Sequence, residues 1–122
     1  MSVLTKKEVQ DIWIEALSSG KYKQGYRQLG DKDGGFCCLG VLCQLAIAHE
    51  VINSFDPEGA YIPAPVQEWA GLMSVTGRFA QISGLPEELV RTNLANLNDI
   101  RRLSFREIAD IIDTNRVALF HE

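Results

Sequence analysis

The chain has 122 residues, 46% of them apolar and 23% charged, with 12 Lys and Arg against 16 Asp and Glu for a net charge of −4. That is the length of one typical domain with ordinary globular composition. The acidic balance argues against a general nucleic-acid binder, which should be basic overall, and no stretch reaches the ~20 apolar residues of a membrane span.

Met1-Ser2-Val3-Leu4-Thr5-Lys6 carries no apolar signal-peptide core. The expectation is a soluble cytoplasmic protein without a membrane partner. Thr5-Lys6-Lys7-Glu8 fits a capping box. Val9, Ile12, Trp13, Ala16 and Leu17 then recur on one helical face, which predicts a helix over about 6–18 ended at Gly20.

Gly20 to Gly30 interleaves Lys21, Lys23 and Arg27 with Tyr22 and Tyr26. Asp31-Lys32-Asp33-Gly34-Gly35 is a turn by composition. It is expected to close a hairpin between residues 26–29 and Phe36-Cys37. The run Gly35 to Ala48 holds one polar side chain, Gln44, and no charge. It predicts a helix from about Cys38 to His49 that is apolar nearly all round and so lies mid-core. Gly40 within it is a poor helix former, which points to close approach by another backbone.

Val51 to Phe55 and Tyr61-Ile62, around the turn Asp56-Pro57-Glu58-Gly59, suggest a second hairpin. Pro65 suits the first turn of a short helix ended by Gly71, with Trp69 pointing inward. Leu85-Pro86-Glu87-Glu88-Leu89 opens a helix expected to run past Leu97, with Asn98-Asp99 ending it. Ser104-Phe105-Arg106-Glu107 is a second capping box. Phe105, Ile108, Ala109, Ile111 and Ile112 follow on one face, with continuation toward Val117 and Phe120. The expected fold is α+β, mainly α: a single compact domain with a buried central helix, flanking amphipathic helices and one or two short β-hairpins.

Chemistry is sparse. Cys37, Cys38 and Cys43 form no disulfide framework and are expected as buried thiols in a reducing compartment. Neither His49 nor His121 is spaced to join them in a metal site. A thiol nucleophile lacks a sequence-adjacent base. Asp31, Asp33, Asp56 and Asp99 sit where turns want Asp. No phosphate loop or dinucleotide fingerprint is present. No catalytic residue, metal or cofactor is therefore assigned.

Binding has better support. If residues 21–27 are extended, Lys21, Lys23, Gly25 and Arg27 share one face, and Tyr22, Gln24 and Tyr26 the other. Cations can hold phosphate and tyrosine can stack on a base. The plainer alternative, a solvated loop whose tyrosines cover the core, is the stronger of the two on loop composition alone. Asn93, Asn96, Asn98, Asp99, Arg101, Arg102 and Arg106 form a second polar group. Capping and turning are the first expectation for its asparagines, but a cationic pocket results if the basic loop folds against it. Arg78 beside Phe79 repeats the same chemistry.

Trp13–Gly25 (W-I-E-A-L-S-S-G-K-Y-K-Q-G), Phe36–Ala46 (F-C-C-L-G-V-L-C-Q-L-A) and the closing L-N-D with S-F-R-E-I-A-D-I-I form a pattern. It resembles a family of small, largely uncharacterised tailed-phage and prophage accessory proteins. It is also distantly similar to a bacterial domain family of unknown function. The resemblance covers most of the chain except residues 50–85. It implies an accessory protein in the infected bacterium's cytoplasm, countering host defence by gripping a host protein or sequestering a nucleotide signal. It implies no catalytic residue.

Together these readings give a non-enzymatic, cofactor-free binding protein. The expected ligand is anionic and nucleotide-like, held by Lys23, Gln24, Tyr26, Arg27, Asn98, Asp99 and Arg102. The alternatives are a module that binds and inhibits a host defence protein, and a small hydrolase. A homo-oligomer is compatible with the sequence.

Overall fold

The computed structural model describes residues 4–30 and 33–121. It has six α-helices among them: α1 (Lys6–Ser18), α2 (Cys38–Ala48), α3 (Ala64–Ala70), α4 (Leu94–Asp99), α5 (Phe105–Thr114) and α6 (Arg116–Leu119), with a 3₁₀ turn at Glu87–Leu89. Both capping boxes form. The Thr5 hydroxyl accepts the Glu8 N–H at 3.1 Å while Glu8 takes the Thr5 N–H at 2.9 Å, and Ser104 and Glu107 do the same at α5. Each box satisfies two donors that a helix start leaves orphaned.

The apolar faces set up by those boxes meet one another. α1 packs most extensively on α5 and also touches α2 and α3, while α2 touches α3 and α4. Cys38 through Cys43 are buried without exception, as expected of a helix apolar on all sides. Trp13 is fully buried, donates its indole N–H to the Cys38 carbonyl at 2.9 Å and meets Phe120 edge-on. Trp69 is only half-buried, tilted over His49.

Gly40 lets the loop before α2 cross the helix in direct contact. A Cβ there would overlap the Leu29 carbonyl and lie 3.2 Å from the Phe36 Cβ. No rotamer relieves a clash with backbone, so glycine is required for the crossing.

The expected β-hairpins do not form. Among the described residues only isolated bridges occur, Phe36 pairing singly with Gln24 and with Gly30. Three causes are visible. Arg27 adopts φ 72°, which turns the chain out of the extended run. The Leu29 and Gly30 N–H groups donate to Gly59 and Pro57 at 3.0 and 2.8 Å, so the two loops bind each other. The runs flanking each turn are also too short for a stable two-stranded ribbon. The Asp56–Gly59 turn itself closes, Gly59 N–H donating to the Asp56 carbonyl at 3.0 Å. Residues 51–55 and 61–62 do not pair, and Ile62 N–H donates to Val75. Of the turn at 31–35, residues 31–32 lie outside the described residues. The fold is helical, with loops where hairpins were expected.

The helix expected from Leu85 past Leu97 is split. Arg91 takes φ 64°, and Asn93 becomes the N-cap of α4, accepting the Asn96 N–H at 2.7 Å. The last helix likewise stops at Thr114, and α6 starts afresh after Asn115. Arg116 then bridges Asp11 and Asp113 at 2.8 and 2.9 Å and reaches the buried Gln10, tying α6 to α1. Among the described residues no helix is long and apolar enough to cross a membrane.

Two predictions follow from α2. Gly40→Ala should destabilise the protein by about 3 kcal/mol, the upper end of overpacking costs, read as a fall in urea midpoint; an unchanged midpoint would contradict the crossing. The thiols give a pH signature. Desolvation pushes Cys37 up to about 11 and Cys43 up to about 12 from the usual 9.0, and Cys38 well above it. The unfolded chain therefore releases thiol protons first. The thiol contribution to stability is complete below about pH 9 and is lost as pH rises toward the folded values. At pH 8 iodoacetamide should leave all three thiols intact until urea is added, and rapid alkylation of native Cys37 would show that it is not sealed.

Candidate functional site

The N-terminus of α2 has no side-chain cap of its own. Its cap comes from Asn98, near the end of α4. Asn98 Oδ1 accepts the Cys38 N–H at 3.3 Å and the Gln24 Nε2–H at 2.9 Å. Its Nδ2 donates to the Gly25 carbonyl at 2.9 Å and to Asp99 Oδ1 at 2.8 Å. One fully buried amide thus binds the basic loop, the central helix and α4 together. Gln24 adds a bond from Nε2 to the Leu103 carbonyl at 2.8 Å.

That clamp brings the two polar groups of the sequence side by side. The Arg27 N–H donates to Asp99 Oδ1 at 2.8 Å. The Arg102 guanidinium carbon lies 4.4 Å from the Tyr26 ring centroid, a cation–π stack. Between them opens a shallow recess of about 520 Å³ lined by Arg27, Asn96, Asp99, Ile100 and Arg102. Among the described residues neither arginine is in an ion pair with a carboxylate. Both have left-handed backbones, φ 72° at Arg27 and 52° at Arg102, which L-residues adopt at a cost of about 1–2 kcal/mol.

Of the sequence-derived candidates, Arg27, Asp99 and Arg102 line the recess. Tyr26 lies under Arg102, so its stacking face is occupied by the protein itself. Asn98 and Gln24 have their amides turned to protein groups and hold the site from behind. Lys23 points away, its Nζ 3.5 Å from the Asp33 carbonyl. Arg101 instead faces a groove with Glu107 and Asp110, Arg106 reaches the Ser18 carbonyl, and Arg78 lies apart beside Phe79. Ile100 was missed by sequence reasoning. It is the most exposed large apolar side chain described, at 73%, and the signal was an isoleucine in the otherwise polar turn N-D-I-R-R.

Two other recesses are smaller and less suited to an anion. One at Lys6, Gln67, Glu68 and His121 holds about 310 Å³. One at Leu89, Leu103 and Ile111 holds about 290 Å³ and is edged by Glu88, Glu107 and Asp110. Among the described residues no three His, Cys, Asp or Glu side chains are gathered to hold a metal.

A family described as a domain of unknown function, DUF8296, matches residues 5–116, and the chain belongs to it. No curated protein and no solved structure matches the chain.

Proposed function

We propose that this member of the DUF8296 family is a non-enzymatic binding domain whose ligand is an anionic, nucleotide-like small molecule. The observation that carries the reading is the pair of strained arginines on the rim of one recess, neither of them in an ion pair among the described residues. Left-handed backbone at non-glycine residues persists where surrounding structure enforces it, and it clusters at ligand sites. Two guanidinium groups provide forked donors for phosphate oxygens. Arg102, backed by Tyr26, offers its other face to a base, and Ile100 supplies an apolar surface beside it. On the sequence resemblance alone, we infer a setting in the cytoplasm of an infected bacterium, where such a ligand would be a defence signal to sequester. The loop's tyrosines do cover the protein's own rings, Tyr22 lying edge-on to Phe36; the two arginines are what that plainer account leaves unexplained.

A second reading, capture of a host protein, draws on the exposure of Ile100. It predicts co-purification of one partner that is lost on Ile100→Asp.

Thermal-shift and calorimetric screens with cyclic oligonucleotides and ADP-ribose derivatives test the main proposal. A true ligand raises the melting temperature by mass action. Arg27→Gly should relieve the backbone and make the free protein about 0.5 kcal/mol more stable while losing most of the ligand shift. A variant that still binds, or a screen in which no nucleotide shifts the wild type, contradicts the proposal.

A further inference from the structure

Asp99 is an odd residue to find in a recess meant for an anion. It is the last residue of α4, where the helix dipole disfavours negative charge. Its structural work needs only one oxygen. Oδ1 accepts both the Arg27 N–H and the Asn98 Nδ2–H, and an asparagine oxygen would accept the same two donors, though less strongly. Among the described residues no donor reaches Oδ2, and neither Arg27 nor Arg102 pairs with the carboxylate. Among the described residues the second oxygen is left without a donor, and Asp99 lines the same recess as the two arginines.

We infer that Asp99 Oδ2 is a specificity determinant that accepts a hydrogen bond from a ribose hydroxyl, so that the site takes ribonucleotides in preference to their deoxy counterparts. The inference rests on the proposed anion site and narrows its ligand class. Geometry selects the partner. A base edge read bidentately by a carboxylate needs both oxygens, and Oδ1 already has two donors. A cationic amine would be repelled by Arg27 and Arg102. A neutral hydroxyl remains, and in a ribonucleotide the hydroxyls lie a few bonds from the phosphates that the arginines would hold. Hydrogen bonds to a charged acceptor are the stronger kind, so loss of this one should cost about tenfold or more in affinity.

The test is calorimetry with three probes, ADP, 2′,3′-dideoxy-ADP and inorganic pyrophosphate, on the wild type, Asp99→Asn and Arg102→Ala. Asp99→Asn keeps the bonds to Arg27 and Asn98 and replaces the outward oxygen by an N–H donor. The wild type should bind ADP at least tenfold more tightly than dideoxy-ADP. Asp99→Asn, which can meet a hydroxyl only through a neutral hydrogen bond, should cut the preference to about threefold or less while binding pyrophosphate as well as the wild type or better, which also shows that the site is intact. Arg102→Ala should weaken all three probes. Equal wild-type affinity for the two nucleotides, or a preference that is undiminished in Asp99→Asn, overturns the role of Asp99 while leaving the anion site standing. Failure of every probe to bind the wild type overturns both.

Discussion

The Asn98 side chain is the constraint on which the arrangement depends. An amide has two acceptor sites and two donors, and all four are used: Gln24 and Cys38 donate to it, and Gly25 and Asp99 accept from it. Each bond goes to a different stretch of chain or a different function. Cys38 is the buried start of a helix with no side-chain cap of its own, Gly25 and Gln24 belong to the basic loop, and Asp99 carries the amide of Arg27. A buried network of this kind is strong when complete and costly when one member is missing. Removal of the amide leaves several buried groups without partners, at about 1–3 kcal/mol each.

The recess between Arg27 and Arg102 is a by-product of that clamp. α2 is held by packing on all sides in its first half, and Gly40 lets the Leu29 backbone lie directly on it. The loop therefore has a rigid floor. Its tip is then pinned at Arg27 by Asp99 and covered at Tyr26 by Arg102. The backbone strain at Arg27 and Arg102 sits against this stiff support, where it can persist. Glu50 and Arg91 have left-handed backbones too, so strain alone does not mark a site. What sets Arg27 and Arg102 apart is that they share one recess.

Much of the helical framework was legible in the sequence because its signals are local. Thr5 with Glu8 and Ser104 with Glu107 state their helix starts in four residues, Gly71 marks a stop, and Gly40 announced a close crossing. The missing hairpins and the split before Asn93 were not legible, for a shared reason. Turn residues such as Asp56–Gly59 say where the chain reverses but not what its backbone groups bind, and here they bind the other loop. Asn93 reads equally as a helix interior or as a cap until Arg91 is seen to break the turn. For the site, sequence identified Arg27, Asp99 and Arg102 by type. It could not show that Asn98 and Gln24 face inward, since their roles are set by tertiary neighbours more than seventy positions apart.

The clamp is tested most directly by amide hydrogen exchange on Asn98→Asp, which keeps the side chain's shape but replaces its donor with an acceptor facing Gly25 and Asp99. The account predicts that the Arg27 and Gly25 amides lose at least tenfold more protection than the Leu42 amide in the middle of α2. Retention of their protection relative to Leu42 would mean that the loop is held by something other than Asn98.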